Sequence, residues 1–264
     1  MPMNTVRTNL RVIAALGRRS VWQTFRRPQL MAPIIVFPTL LLEIQTGGAA
    51  SAVNLPGFPE VDSFLQFMLA GSMLQSMLLA GNSGGIALAV DLEMGFTDRL
   101  FAAPISRFSI VLGRLAGTAA LGTLAGVWFL AIGLIFGAPI EEGIWGVLIV
   151  LLLVGLTATA IGGIGAAIAL RTGSASVVQG LFPLVFVVLF LSSAFFPQAL
   201  MVEPAKTIAD YNPLSFIVEG VRDPIISGFS GTHFLDALLA IAGIGLTGLL
   251  LSAAALRRRL RTGG

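Results

Sequence analysis

The sixteen basic residues of this chain are grouped, not scattered. All but Lys206 and Arg222 fall in four short stretches separated by long apolar runs. Arg7, Arg11, Arg18, Arg19, Arg26 and Arg27 precede the first run, and Arg99, Arg107 and Arg114 follow the second. Arg171 follows the fourth, and Arg257, Arg258, Arg259 and Arg261 follow the last. The gaps after runs one, three and five hold only Lys206 and Arg222, with most of the acids. Cationic side chains are costly to carry across a bilayer and are retained on its cytoplasmic side. The alternation therefore predicts an even number of spans with both termini in the cytoplasm.

Composition fits a chain surrounded by lipid. Hydrophobic residues make up 56% and charged residues only 11%, where a soluble domain carries about 25% charged residues. Mean hydropathy is +0.92. A pI near 10.5 raises the question of nucleic acid, but the net charge is only +3 and the basic groups flank apolar runs. That placement suits anchoring on anionic lipid heads and argues against nucleic-acid binding. The absence of cysteine rules out disulfides and thiolate metal sites. Arginine far outnumbers lysine, which points to a bacterial source. The basic region before the first run reaches Arg27, too long for a cleavable signal peptide, so the first span is expected to remain.

A spanning helix needs about 20 mostly apolar residues. Six segments qualify: 31–48, 63–90, 108–136, 143–170, 177–196 and 234–256. The fold class is all-α and polytopic, a single domain over residues 1–264. Pro33 and Pro38 predict a kink in the first span. Gly113/Gly117, Gly122/Gly126 and Gly133/Gly137 form small-xxx-small pairs that suit close helix contacts in lipid. Residues 4–27 read as an amphipathic helix in the cytoplasmic interface, with Val6, Leu10, Ile13, Gly17 and Val21 on one face. A plain basic flank that sets topology is the other reading of that stretch.

Two connecting segments carry patterns of their own. Between spans two and three, residues 91–107 combine Glu93, Gly95, Arg99, Leu100, Phe101, Pro104 and Arg107. They predict a short cytoplasmic surface helix ending near Ala103, before the proline. Its apolar members could dock in a partner's groove, whereas an ordinary solvated loop would leave two phenylalanines exposed. After span five, Phe196 leads into residues 197–228, which include Pro197, Asn212, Pro213, Glu219 and Arg222. They predict short helices re-entering the outer face, with Glu219 and Arg222 paired at i,i+3 spacing.

At these two places the sequence resembles the ABC-2 type permease family, the membrane halves of many bacterial ABC exporters. The link carries Glu93, Gly95 and Leu100, then Pro104-Ile105-Ser106-Arg107. The external segment carries Phe195-Phe196-Pro197, then Asn212-Pro213-Leu214-Ser215-Phe216 with Glu219 and Arg222. Daunorubicin-resistance-type drug exporters are the subgroup it is most similar to. The resemblance implies a half-transporter in the bacterial inner membrane, pairing two permeases with two cytoplasmic ATPase subunits. It implies that 91–107 is the coupling helix, and that ATP and Mg belong to the partner. Independently, the chain has no G-x-x-x-x-G-K-[ST] phosphate loop, and its only lysine is Lys206.

Other residues define alternatives. Ser72, Gln75, Ser76, Asn82 and Ser83 share one face of span two; they either glue the bundle together or line a substrate path. Glu43 is an ionisable residue at membrane depth or, with Gln45 and two glycines following, an interfacial one. His233 is the single histidine, too little for a histidine-based zinc site or a catalytic triad, and no catalytic, metal or cofactor-binding residues are expected. Glu141 and Glu142 read as a solvated loop, and the Met68, Met73 and Met77 surface reads as lipid packing or a tolerant ligand surface. The leading expectation is an exporter of a hydrophobic drug or lipid. A polysaccharide or glycolipid exporter is the chief alternative, disfavoured by one Tyr and three Trp. An ion-driven carrier would need more ionisable groups along the spans.

Overall fold

The computed structural model describes residues 2–26, 28–95 and 107–261. They form ten α-helices, and no strand occurs among them. In chain order these are α1 (Pro2–Phe25), α2 (Pro28–Ala49), α3 (Phe64–Glu93), α4 (Arg107–Ile135) and α5 (Gly143–Thr172). Then follow α6 (Ala175–Gly180), α7 (Phe182–Phe190), α8 (Ala205–Tyr211), α9 (Pro213–Ile226) and α10 (Gly231–Arg261). Among the described residues, five stretches are long and apolar enough to cross a membrane: Met31–Asn54, Phe64–Glu93, Ser109–Ile135, Gly143–Thr172 and Gly231–Arg258. The chain is a multi-pass membrane protein.

Helix α3 is the centre of the bundle: 94% of its most apolar window is buried, against 17% for the corresponding windows of α2 and α10. Around it pack α2, α4, α5, α6 and α9, with α10 on the far side of α5. Glycines set the closest crossings. A Cβ on Gly85 of α3 would lie 2.7 Å from Gly165 Cα of α5, and one on Gly248 of α10 would lie 2.8 Å from Gly163 C. Lipid tails supply no hydrophobic drive between helices, so such close backbone approach and its dispersion contacts hold the bundle together. Gly122 and Gly126 of α4 serve the same purpose against α5, at Ala158 and Leu151.

Helix α2 runs unbroken through Pro33 and Pro38. Proline cannot donate the main-chain bond that a helix requires, so Pro38 leaves the carbonyl of Ile34 orphaned. Ser76 Oγ of α3 donates to that carbonyl at 2.9 Å. Thr39 Oγ1 donates to Ile35 O at 2.6 Å and accepts from Trp128 Nε1 of α4 at 3.0 Å. The carbonyl opposite Pro38 is thus satisfied by a neighbouring helix.

Two expectations change. The α1 face that bears Ile13 and Gly17 does not lie free for lipid. It packs lengthwise on α4, where a Cβ on Gly113 would meet Leu16 Cβ at 2.6 Å and Ser20 Oγ donates to Arg114 O at 2.9 Å. The Gly113/Gly117 pair therefore serves α1, while Leu10, Trp22 and Phe25 remain exposed. The fifth apolar segment is not one helix over 177–196. It breaks at Leu181, where Pro183 starts α7 in the helix's first turn, and α7 stops at Phe190. Ser192 Oγ then turns back to Leu189 O at 2.6 Å, a local bond that competes with helix continuation.

Candidate functional site

The helices alternate in direction, so the bundle has a basic end, where α3 and α5 finish near Glu93 and Arg171, and an opposite end carrying α8 and α9. At the basic end, Asp91 on the last turn of α3 pairs with Arg114 of α4 at 2.5 Å. Arg114 also donates to Ala87 O at 2.7 Å, which ties the last turns of α3 to α4. Glu93 is exposed, and its Oε1 accepts from the N–H of Ala175, the first residue of α6, at 2.8 Å. Gly95 has φ +66 with open space around it, so the turn out of α3 requires glycine for its backbone alone. Arg99, Leu100, Phe101 and Pro104 lie outside the described residues, and Arg107 opens α4.

At the opposite end the Asn-Pro-Leu sequence builds a helix start. Asn212 is the N-cap of α9, with Oδ1 accepting from Leu214 N at 2.9 Å and Pro213 in the first turn. Asparagine at the cap and proline just inside are the residues such a start favours. Asn212 Nδ2 donates to Val188 O at 2.7 Å, so the same residue holds the end of α7.

About two and a half turns further on, Arg222 is buried with 5% exposure. Its Nη1 donates to Glu219 Oε1 at 2.6 Å, and its Nη2 donates to Ser193 O at 3.0 Å and Ala194 O at 3.1 Å. Its guanidinium lies 4.0 Å from the ring centroid of Phe67. Ser193 Oγ donates to Glu219 at 2.6 Å, and Ser193 N donates to Ser215 Oγ at 3.1 Å. Arginine's planar fork suits several fixed acceptors at once, and here it takes the carbonyls that the broken fifth segment leaves open. The Glu219–Arg222 pairing expected from spacing is therefore present, within a larger clamp. Pro197 is buried just beyond it, whereas Phe196 points out, 62% exposed.

The polar face of α3 divides. Ser72, Gln75 and Ser76 are buried, and Asn82 and Ser83 are half-buried. Ser76 serves α2, and Ser83 Oγ donates to Leu79 O of its own helix at 2.9 Å. Gln75, fully buried, has no partner among the described residues for either side-chain polar atom. Glu43 is exposed on the peripheral α2 and does not join this set.

Sequence reading missed Gln66. Its Nε2 donates to Pro139 O and Ile225 O, both at 3.2 Å, joining α3 to the α4–α5 turn and to the end of α9. The signal was present: Ser63 with Gln66 three residues on is a capping-box pattern, and Gln66 N does donate to Ser63 Oγ at 3.2 Å. Glu142 is also more than a solvated loop residue, since its carboxylate accepts from Phe229 N at 2.8 Å. His233 Nδ1 sits 2.6 Å from Asp223 Oδ2, half exposed.

The arrangement is a helical bundle with polar ties at its two ends. Residues 11–226 match the sequence model of the ABC-2 type transporter. The chain belongs to that family. The protein named as transport permease ycf38 in Pyropia yezoensis is 29% identical over 215 residues, covering 80% of this chain and 72% of that one. Its namesake in Porphyra purpurea is 29% identical over 240 residues, with 87% and 78% covered. The daunorubicin resistance ABC transporter permease protein DrrB1 of Streptomyces coeruleorubidus is 24% identical over 219 residues, with 81% and 75% covered. Membership makes this ABC-2 protein a permease, the non-enzymatic membrane component of a transporter, and implies a partner subunit that binds ATP.

Proposed function

We propose that this permease belongs to a bacterial ABC exporter and moves a hydrophobic drug or lipid-like molecule outward. Two permeases pair with two cytoplasmic ATPase subunits, which hold ATP and Mg, in the inner membrane. Both termini and the 91–107 link face the cytoplasm, and the 197–228 helices dip into the outer face. The ATPase docks on the link and on the exposed side of α1. Its closure on nucleotide displaces the link, and rigid-body shifts of the spans alternate access between the two sides.

The observation that carries the substrate class is a cleft of about 540 Å³ between α5, α7 and α10. Leu78, Ile161, Ile164, Val185, Val188 and Ile244 contribute to its wall, which has no charged side chain. An apolar cleft of this size accommodates a drug-sized hydrophobe or an acyl chain, and the hydroxyl on its wall, Thr247 Oγ1, already donates to Gly243 O. The name of the Streptomyces relative supports the same reading.

The test is ATP hydrolysis by the purified permease–ATPase complex in lipid vesicles, challenged with lipids, hydrophobic drugs and glycans. Stimulation by lipids or drugs is the expected result. Stimulation by glycans alone would establish the polysaccharide reading instead.

A further inference from the structure

The fifth segment, residues 175–196, is tied by polar groups at both ends and left loose between them. At the basic end the first N–H groups of a helix need acceptors. Ser174 stands at the N-cap of α6 but makes no capping bond, its Oγ lying instead 2.8 Å from Ser176 Oγ. Glu93, 82 residues earlier, supplies the acceptor through Ala175 N. A carboxylate there also complements the positive end of the helix.

At the opposite end, Asn212 holds Val188 O, Ser215 holds Ser193 N, and Arg222 holds Ser193 O and Ala194 O. Between these ties the segment has joints at Leu181 and after Phe190. Its outward side chains Leu184, Val187 and Phe190 are 52–62% exposed. Aromatic contacts nonetheless link its parts. Phe182, Phe186, Phe190 and Phe195 form a ladder with successive ring centroids 4.7, 6.2 and 5.2 Å apart.

The segment's outer end rides on one face of α3. A Cβ on Gly71 would sit 2.3 Å from Ala194 O, and Leu78 lines the cleft with Val185 and Val188. Gln75 lies between these positions on that face, one turn below Gly71. Its amide is buried without a partner, while backbone carbonyls of the broken segment lie one turn away. A buried amide left unpaired disfavours the arrangement that contains it, and sliding of the segment toward the basic end would bring those carbonyls within its reach.

We propose that residues 175–196 act as a jointed strut, and that Glu93 is the positioning residue that passes movement of the link into it. Displacement of Glu93 moves α6, the ladder carries it through α7, and the 192–195 turn shifts along α3 toward Gln75. This deepens the reading above, in which the link is where the partner pushes, but its test needs neither partner nor substrate.

The chain contains no cysteine, so paired spin labels can be placed on introduced cysteines alone. Full-length permease in lipid nanodiscs is labelled at Leu152 on α5 and Ser176 on α6, or at Leu152 and Ala199 beyond the outer turn. All three positions are exposed. Distance distributions are then read by double electron–electron resonance. Glu93→Gln keeps an acceptor and should leave both distributions unchanged. Glu93→Ala and Glu93→Lys should shift or broaden both, by about 3 Å, half a helical turn. Ala175→Pro removes the donor N–H yet suits the first helical position, and should reproduce the Glu93→Ala result with Glu93 intact. Movement confined to the 152–176 pair would make Glu93 a local cap and overturn the strut. No movement of either pair in Glu93→Ala, Glu93→Lys and Ala175→Pro would overturn it as well. Failure of the ATPase assay with both pairs moving would leave the strut standing and refute only the exporter reading.

Discussion

Replacing Arg222 should unsettle the opposite end of the bundle more than any other single change there. Its side chain is 6% exposed, and Glu219 beside it is 27% exposed. Arg222→Ala would leave the Glu219 carboxylate half-buried with only Ser193 Oγ as partner. It would also free the carbonyls of Ser193 and Ala194. An unsatisfied buried acceptor costs about 1–3 kcal/mol, and a desolvated cation over an aromatic ring contributes about 2 kcal/mol. Breaking a buried ion pair from one side costs roughly 3–5 kcal/mol in total, and Glu219's exposure places this case near the lower end, at about 3 kcal/mol. Arg222→Lys should recover about half, because one ammonium cannot replace the fork. The double variant Arg222→Met with Glu219→Gln should be more stable than Arg222→Ala alone, since no charge is stranded. Unfolding in mixed micelles at increasing SDS fraction, followed by tryptophan fluorescence, measures all three. A loss below about 1 kcal/mol for Arg222→Ala, or a double variant worse than the single one, would refute the clamp.

Three further changes follow from the packing. Gln75→Leu should raise stability by about 1–3 kcal/mol, because the orphaned amide is removed, while slowing transport; a loss of stability in the same SDS titration would contradict this. Ser76→Ala should cost about 1–2 kcal/mol by orphaning the Ile34 carbonyl that Pro38 cannot serve, and Pro38→Ala should rescue it. Gly71→Ala should cost about 1–3 kcal/mol through overpacking against Ala194 O, and the Leu152–Ala199 label pair should report the outer turn displaced.

Much of this could be read from the sequence because lipid restricts the choices. Apolar length located the helices now seen as α2 to α5 and α10, and the Glu219–Arg222 spacing gave their ion pair. The fifth segment differs from one helix over 177–196 because hydropathy measures apolarity and not continuity: Pro183 and the Ser192–Ser193 pair interrupt the helix within an apolar run. The periodicity of residues 4–27 points to an interfacial helix, but the fit of α1 against Gly113 and Gly117 is invisible to a hydrophobic face. The Glu93–Ala175 bond and the Arg222 contacts with Ser193 and Ala194 join residues far apart in the chain, and no local pattern encodes such partners. Gln66 was legible in principle from its capping-box spacing, but its reach to Pro139 and Ile225 was not.

The central claim is that this permease moves its cargo by a partner's ATP cycle. The most direct measurement uses inside-out vesicles containing the permease and its ATP-binding subunit, with a fluorescent lipid analogue outside. Accumulation in the lumen should require ATP, persist when the proton gradient is collapsed, and be lost in Glu93→Lys while the protein still inserts. Accumulation driven by a proton gradient without ATP would contradict that claim.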